Sequence, residues 1–158
     1  MATTLERILH RVTLLEMGPA TPCVVGRDTT LGEVHALLAD DECRALVVCD
    51  DDGRPVGIFT DRDVLYRTAL EALDPGTPIV ELMTPEPQTL SPGDHVADAV
   101  AAMTRGGLRH IPLVDDAGRI AGIVSSRAVL RYLARFYSQA VLNLPPRLDQ
   151  RLERPEGG

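Results

Sequence analysis

Apolar and polar positions along the chain form two patterns, a helical period and short, largely apolar runs typical of strands. Residues 31–41 (LGEVHALLADD) and 96–106 (VADAVAAMTRG) space their apolar side chains as a helix does. Two runs rich in β-branched residues follow each of them and flank a turn, ALVVCDDDGRPVGIF and HIPLVDDAGRIAGIV. Because the glycine in each turn allows a positive φ, each pair of runs is predicted to form a β-hairpin.

Helical patterns also occur at both ends of the chain. The N-terminal segment, residues 1–16, is predicted to be an amphipathic helix and not a signal peptide, because it carries acids and has no small-residue cleavage site. Its apolar stripe is formed by Leu5, Ile8, Leu9, Val12 and Leu15. A C-terminal helix is predicted to have a stripe of Val129, Leu130, Leu133, Phe136 and Val141. We expect these stripes to pack on the core, with a partner surface as the alternative.

The two hairpin regions are copies of each other. A shift of 65 residues aligns GIFTDRDVL, from 57, with GIVSSRAVL, from 122, and 13 of the 48 pairs between 22–69 and 87–134 are identical. Duplication at this level indicates two structural repeats. We assign the first repeat to 17–72, a linker to 73–82, the second repeat to 83–137, and the end of the C-terminal helix with a mobile tail to 138–158.

Each repeat reads as strand, helix, strand, strand and helix. A unit of about 50 residues buries too little surface to be stable alone, so the two units are expected to pack together. The predicted fold is therefore α/β (α+β), with two pseudo-twofold-related β-α-β-β-α units packed sheet to sheet and extra N- and C-terminal helices.

Composition excludes several functions. The chain has 158 residues, a formal charge of −7, no Trp, two Phe and three Tyr, which argues against nucleic-acid binding. No apolar run is long enough to cross a membrane. Cys23, Cys43 and Cys49 form no metal-binding spacing with any histidine, so we expect no metal site, free thiols and a cytoplasmic location.

The duplicated frame resembles a known family. RALVVCDDDGRPVGIFTDRDVL and RHIPLVDDAGRIAGIVSSRAVL are similar to a tandem pair of cystathionine β-synthase (CBS) domains, and VELMTPEPQTLSPGDHVADAV resembles the usual opening of such a domain. The resemblance covers residues 17–136. It implies a stand-alone regulatory module that binds an adenosine ligand in the cleft between its repeats and forms a homodimer. Since no catalytic domain accompanies the repeats, we expect it to regulate another, unknown protein.

Asp63 is an acid of the shared frame that the second copy lacks, because the equivalent residue is Ala128. Thr60 and Asp63 have the spacing of a capping box, which would only stabilise a helix start. A carboxylate can also accept both hydrogens of a ribose diol, and the resemblance implies that role for Asp63. Ser125 matches Thr60 in the second copy, but the diol acceptor is missing there. The motif is compatible with both roles.

The resemblance extends the candidate site beyond this motif. It implies basic residues near phosphates, for which Arg62, Arg109 and His110 are available, and adenine contacts near Met83, Gln88 and Leu108. Solvated helix positions, a strand edge and ordinary packing are the alternatives for these residues. The full ligand-binding set that we predict is Ile58, Thr60, Arg62, Asp63, Met83, Gln88, Leu108, Arg109, His110 and Ser125.

Two functional hypotheses follow. The first is a regulatory module that senses AMP, ADP, ATP or S-adenosylmethionine as a ligand, with no cofactor required. The alternative is a ligand-free structural or dimeric adaptor. We do not expect an enzyme, because the sequence offers no nucleophile with its base and orienting group, and no paired carboxylates in a defined cleft.

Overall fold

The computed structural model describes residues 4–40, 43–68 and 73–142. Six helices and six strands follow one another along this part of the chain, with a π-helical turn at Val64–Thr68 and a 3₁₀ turn at Ile79–Glu81. The helices are α1 (Thr4–Arg11), α2 (Leu14–Met17), α3 (Leu31–Leu38), α4 (Asp61–Asp63), α5 (Val96–Gly106) and α6 (Ser126–Leu142). The strands are β1 (Cys23–Val25), β2 (Ala45–Cys49), β3 (Pro55–Thr60), β4 (Thr84–Pro85), β5 (His110–Val114) and β6 (Ile120–Ser125).

The two predicted hairpins are confirmed and have the same register. Ala45 pairs with Thr60 in β2–β3, and the equivalent residues His110 and Ser125 pair in β5–β6. Each hairpin has an irregularity at the same place, between residues 48 and 49 and between residues 113 and 114. Gly53 and Gly118 both have φ of +78°, as the turns required. Duplicated sequence therefore yields duplicated geometry.

Each hairpin also pairs along one edge with a short segment that belongs to the other repeat. Strand β4 pairs with β3, so the four-stranded sheet has the order β1-β2-β3-β4. In the second sheet Ala20 exchanges two backbone hydrogen bonds with Ile123, at 3.0 and 3.1 Å. The extended stretch predicted at residues 87–91 forms only one bridge, Leu90 to Leu113. Proline on both sides of Leu90, at 87 and 92, removes donors that a longer ladder would need.

Three groups of buried side chains form the core. One belongs to the first repeat and also includes Ile79 from the linker and Met83 from the start of the second repeat. A second belongs to the second repeat and includes Leu14 from α2. The third lies between the two sheets and consists of Ala45, Val47, Cys49 and Ile123. The predicted sheet-to-sheet arrangement and the mixed helix and strand fold class are confirmed.

The N-terminal helix differs from the prediction. Two helices replace the single one, because Thr13 caps α2 through hydrogen bonds with Glu16 and interrupts the helical path. The break changes the phase of the apolar stripe. Leu14 is fully buried, whereas Leu15, which was predicted to lie on the stripe, is 64% exposed. Both helices pack against α5 of the second repeat.

The other helices follow the sequence with smaller changes. Helix α5 has the predicted bounds, and α3 ends at Leu38, earlier than expected. In α6 Val129 is buried, but Leu130 is 67% exposed, so the predicted stripe does not lie on one buried face. The side chain of Val141 and the tail predicted to be mobile lie outside the described residues.

Candidate functional site

The Thr60–Asp63 motif lies where β3 gives way to α4. Thr60 has extended backbone angles, φ −128° and ψ 168°, and the chain turns into a helix at Asp61. The Thr60 N–H and the Thr60 hydroxyl both donate to Asp63 Oδ2, each at 2.9 Å. The capping interaction is therefore present and fixes the carboxylate over the strand end. Because a carboxylate has about four acceptor positions, these two bonds leave its chemistry toward a diol intact.

A cleft opens beside this motif, and we call it the first cleft. Its volume is about 150 Å³. Seven of the ten predicted ligand-binding residues line it: Ile58, Thr60, Arg62, Asp63, Leu108, Arg109 and His110. Two acids, Asp61 and Asp63, and two arginines contribute the charges of its wall. The first cleft therefore combines a carboxylate that has free acceptor positions with cations that suit phosphate.

The other three predicted residues lie elsewhere. Met83 is 8% exposed and belongs to the first-repeat core, where its side chain rests on Gly57. Gln88 is exposed and lines neither the first cleft nor the cleft beside Ser125. Ser125 lines that other cleft, on the far side of the hairpin pair.

Three lining residues of the first cleft were missed by sequence reasoning, namely Asp61, Thr84 and Gly107. Thr84 reaches the cleft because it pairs with Ile58 across β3–β4, a contact between the repeats that no local pattern signals. Gly107 ends α5 in the left-handed conformation, with φ of +62°, and the GG dipeptide at 106–107 is the signal that would have located it.

His110 lines both clefts, so it lies between them. Burial lowers its pKa from the usual 6.5, because a buried imidazolium loses its hydration. The Asp61 carboxylate opposes this change, whereas Arg109 and Arg44 add to it. Among the described residues nothing donates to or accepts from its buried Nδ1. Neutral His110 therefore presents an unsatisfied ring nitrogen at the boundary of the two clefts.

The cleft beside Ser125 is the second cleft, and its volume is about 280 Å³. Ser125 Oγ accepts a hydrogen bond from the Ala128 N–H at 3.1 Å and so caps α6. Arg44, Arg127 and Arg131 line the cleft together with His110 and Ile123. Its wall thus keeps the helix cap of the first cleft but has no acid at position 128.

Cysteine and metal chemistry contribute little to either cleft. All three cysteines are free, as predicted. Burial raises the pKa of the Cys43 thiol to about 12, and contact with Cys23 adds to the shift, so this thiol stays protonated. Over residues 4–40, 43–68 and 73–142 no three His, Cys, Asp or Glu side chains are arranged to hold a metal ion. No helix in the same ranges is long and apolar enough to cross a membrane.

Comparison with known protein families identifies the family to which this architecture belongs. The family model for the CBS domain matches the chain twice, at residues 16–69 and 79–135. The chain belongs to the CBS domain family. The family prediction made from the repeat is thereby confirmed, and both clefts are formed where the two CBS repeats meet.

Relatives of several kinds carry the same CBS repeats. An uncharacterised 17.7 kDa protein of Acidianus ambivalens is 32% identical over 110 residues, which cover 70% of this chain and 66% of that protein. Inosine-5'-monophosphate dehydrogenase of Mycobacterium tuberculosis is 35% identical over 112 residues, but the match covers only 20% of that enzyme against 70% of this chain. The chain therefore spans just under two thirds of one relative and a fifth of the other.

A solved structure matches over most of its length. A CBS domain protein of Pyrobaculum aerophilum, complexed with AMP, superposes with a TM-score of 0.69 at 27% identity. The match covers 78% of this chain and 99% of that protein. The fold of a CBS domain pair is therefore reproduced in full by the described residues.

Proposed function

We propose that this CBS pair is a regulatory module that binds an adenosine ligand in the first cleft and changes the activity of a partner protein. The observation that carries the proposal is the carboxylate of Asp63, held by Thr60 at a cleft that also contains Arg62 and Arg109. Vicinal ribose hydroxyls are donors that such a carboxylate accepts, and arginine forks suit phosphate.

The two halves of the ligand would contact different repeats. Thr60 and Asp63 come from the first repeat and would hold the ribose, whereas Arg109 and His110 lie at the start of β5 in the second repeat, Arg109 just before the strand and His110 as its first residue. A ligand that contacts both repeats binds most tightly at one relative position of the two. Binding would then shift the population toward that position, by no more than the difference in the ligand's affinity for the two states.

Relatives supply independent support for the ligand class. The Pyrobaculum aerophilum protein, at 27% identity, is complexed with AMP. AMP, ADP, ATP and S-adenosylmethionine all carry the adenosine group that the proposal requires. Because two acids balance two arginines in the wall of the first cleft, charge alone does not choose among them. The activity of inosine-5'-monophosphate dehydrogenase is not extended to this chain, which matches a fifth of that enzyme.

Exposed apolar side chains favour a homodimer. Leu65 and Leu130 occupy equivalent positions in the two repeats and are 66% and 67% exposed. Tyr66, beside Leu65, is also 66% exposed. Large apolar residues repeated at equivalent surface positions are typical of a face that another chain covers. The same observation favours the second candidate function, a dimeric adaptor that binds no ligand.

Calorimetric titration separates the two candidates. We expect AMP, ADP, ATP or S-adenosylmethionine to bind the wild-type protein below millimolar Kd, and Asp63→Ala to weaken that binding by about tenfold or more, since a hydrogen bond to a charged group contributes about 1.5–3 kcal/mol. 2'-Deoxy-AMP tests the contact with the sugar directly. If none of the four ligands binds below millimolar, the sensing function is wrong and the adaptor is favoured.

A further inference from the structure

The two clefts are equivalent by the internal repeat. The 65-residue shift gives each of four residues in the first cleft a counterpart in the other repeat. Ile58, Thr60 and Arg62 correspond to Ile123, Ser125 and Arg127. Arg109 corresponds to Arg44. All four of these equivalent residues line the second cleft. The second cleft is therefore equivalent to the first with the roles of the two repeats exchanged, and the residues of one cleft can be compared with their counterparts in the other repeat.

Three of those differences change charge, and all act in one direction. Ser126 stands where the first repeat has Asp61, and Ala128 stands where it has Asp63. Arg131 lines the second cleft at the position equivalent to Tyr66. Two acids and two arginines thus line the first cleft, whereas three arginines and no acid line the second among the described residues. This concentration of positive charge occurs in a chain of net charge −7.

The arginines of the second cleft are unfavourable for the helix that carries them. Arg127 and Arg131 lie four residues apart near the start of α6, where their like charges repel each other, and Arg127 lies in the first turn, where the helix dipole disfavours a cation. Neither forms an ion pair with an acid in the part of the chain that the structure describes. Violations of local rules are expected at functional sites, so these two exposed arginines mark the second cleft as a candidate binding site. An anion at this cleft would relieve both repulsions.

We propose that the second cleft binds a chain of two or more phosphates and holds its ligand by those phosphates and not by a ribose. Three guanidinium groups suit the repeated oxygens of a phosphate chain. Ala128 provides no diol acceptor, and one acceptor position of Ser125 Oγ is taken by the Ala128 N–H, so no carboxylate is available to accept both hydrogens of a diol. The ligand would be a nucleoside polyphosphate or an inorganic polyphosphate. This inference does not depend on the function proposed for the first cleft, because the residues that carry it are different.

Titration of tripolyphosphate into the full-length protein tests the charge argument. We expect one tripolyphosphate to bind with submillimolar Kd at low salt and to weaken as salt rises. Arg127→Ala and Arg131→Ala should each weaken binding by about tenfold or more, whereas Arg62→Ala, the matched change in the first cleft, should leave it within about threefold. Ala128→Asp should also weaken it by about tenfold, because it restores an acid. Circular dichroism checks that each variant is folded.

Sugar independence is tested in Asp63→Ala, which disables the proposed ribose contact of the first cleft. In this variant ATP and 2',3'-dideoxy-ATP should bind within about threefold of each other if the second cleft holds phosphates only. Binding of both triphosphates favours a nucleotide as the natural ligand, and binding of tripolyphosphate alone favours an inorganic chain. Absence of tripolyphosphate binding, or equal weakening by Arg62→Ala and Arg127→Ala, overturns the proposal. Loss of AMP binding in Asp63→Ala reports on the first cleft separately.

Discussion

Arg44 and Asp61 face each other across the boundary between the two clefts. Nη1 of Arg44 lies 3.9 Å from Oδ2 of Asp61, and the Asp61 N–H donates to the Arg44 carbonyl oxygen at 3.4 Å. Asp61 lines the first cleft and Arg44 lines the second. A charge brought into either cleft therefore acts on a pair that both clefts share.

Asp61→Asn should strengthen tripolyphosphate binding at the second cleft while changing stability little. Both side chains are about half exposed, 47% and 55%, so the ion pair contributes less than about 1 kcal/mol to folding. Loss of the acid leaves Arg44 more available to an anion. Urea denaturation gives the stability change, and calorimetry gives the affinity. Asp98→Asn, an exposed acid that lines neither cleft, is the control, and equal affinities of the two variants would contradict the prediction.

Asp63→Ala should cost about 1 kcal/mol of stability, as loss of a helix cap does, and should also weaken ribose-dependent binding by about tenfold or more. The chain offers a matched control in Glu33, which accepts the N–H and hydroxyl of Thr30 at 2.8 and 2.9 Å in the capping box of α3. Glu33→Ala should cost a similar amount and leave ligand affinity unchanged. Thermal unfolding with and without AMP measures both effects. Equal AMP-induced shifts in the two variants would show that Asp63 is only a cap.

Stability should fall as the solution is acidified below about pH 6.5, in part because of His110. Burial lowers the pKa of His110 in the folded protein, so between that pKa and 6.5 the unfolded chain binds a proton that the folded chain does not. Unfolding is therefore favoured as pH falls. His110→Gln should make the urea midpoint less dependent on pH over this interval, and NMR titration of the His110 ring should give a midpoint below 6.5. A midpoint above 6.5 would contradict the assignment.

Gly57→Ala should destabilise the protein by about 1–3 kcal/mol, as overpacking does. A Cβ at Gly57 would overlap Met83 Sδ, whereas a Cβ at the equivalent Gly122 would lie 3.1 Å from the Pro19 Cβ. Gly122→Ala should therefore destabilise the protein less, since Pro19 must move by only a few tenths of an ångström. The double variant Gly57→Ala, Met83→Ala should be more stable than the sum of its single changes. Additive costs would show that Met83 does not restrict this position.

Local features of the sequence were enough to predict the hairpins and their common register. A turn glycine between two runs rich in β-branched residues indicates a hairpin, and the repeat supplied the same information twice. The break at Thr13 was also readable, since Thr13 and Glu16 have capping-box spacing inside the predicted N-terminal helix. The apolar stripe continues past Thr13, so the spacing of apolar residues predicted one unbroken helix despite the capping signal.

Contacts between the repeats could not be predicted from local pattern. Thr84 enters the first cleft, and Met83 enters the first-repeat core, because the segment that opens the second repeat pairs with β3. Ser125, predicted as the second-copy counterpart of Thr60, lies at the end of the other hairpin and lines the second cleft. Which residues share a cleft is decided by how the two sheets face each other, and a repeat pattern alone does not fix that choice.

The exchange of edges described for the fold has a consequence for how the molecule can be divided. Strand β4 completes the sheet of the first repeat, Ala20 completes that of the second, and Leu14 lies in the second-repeat core. Cleavage of the linker would separate each fragment from core side chains and backbone hydrogen-bond partners that remain in the other fragment. Neither half is a self-sufficient folding unit, so we expect the two to melt in one cooperative step and to be recovered only when both are produced together.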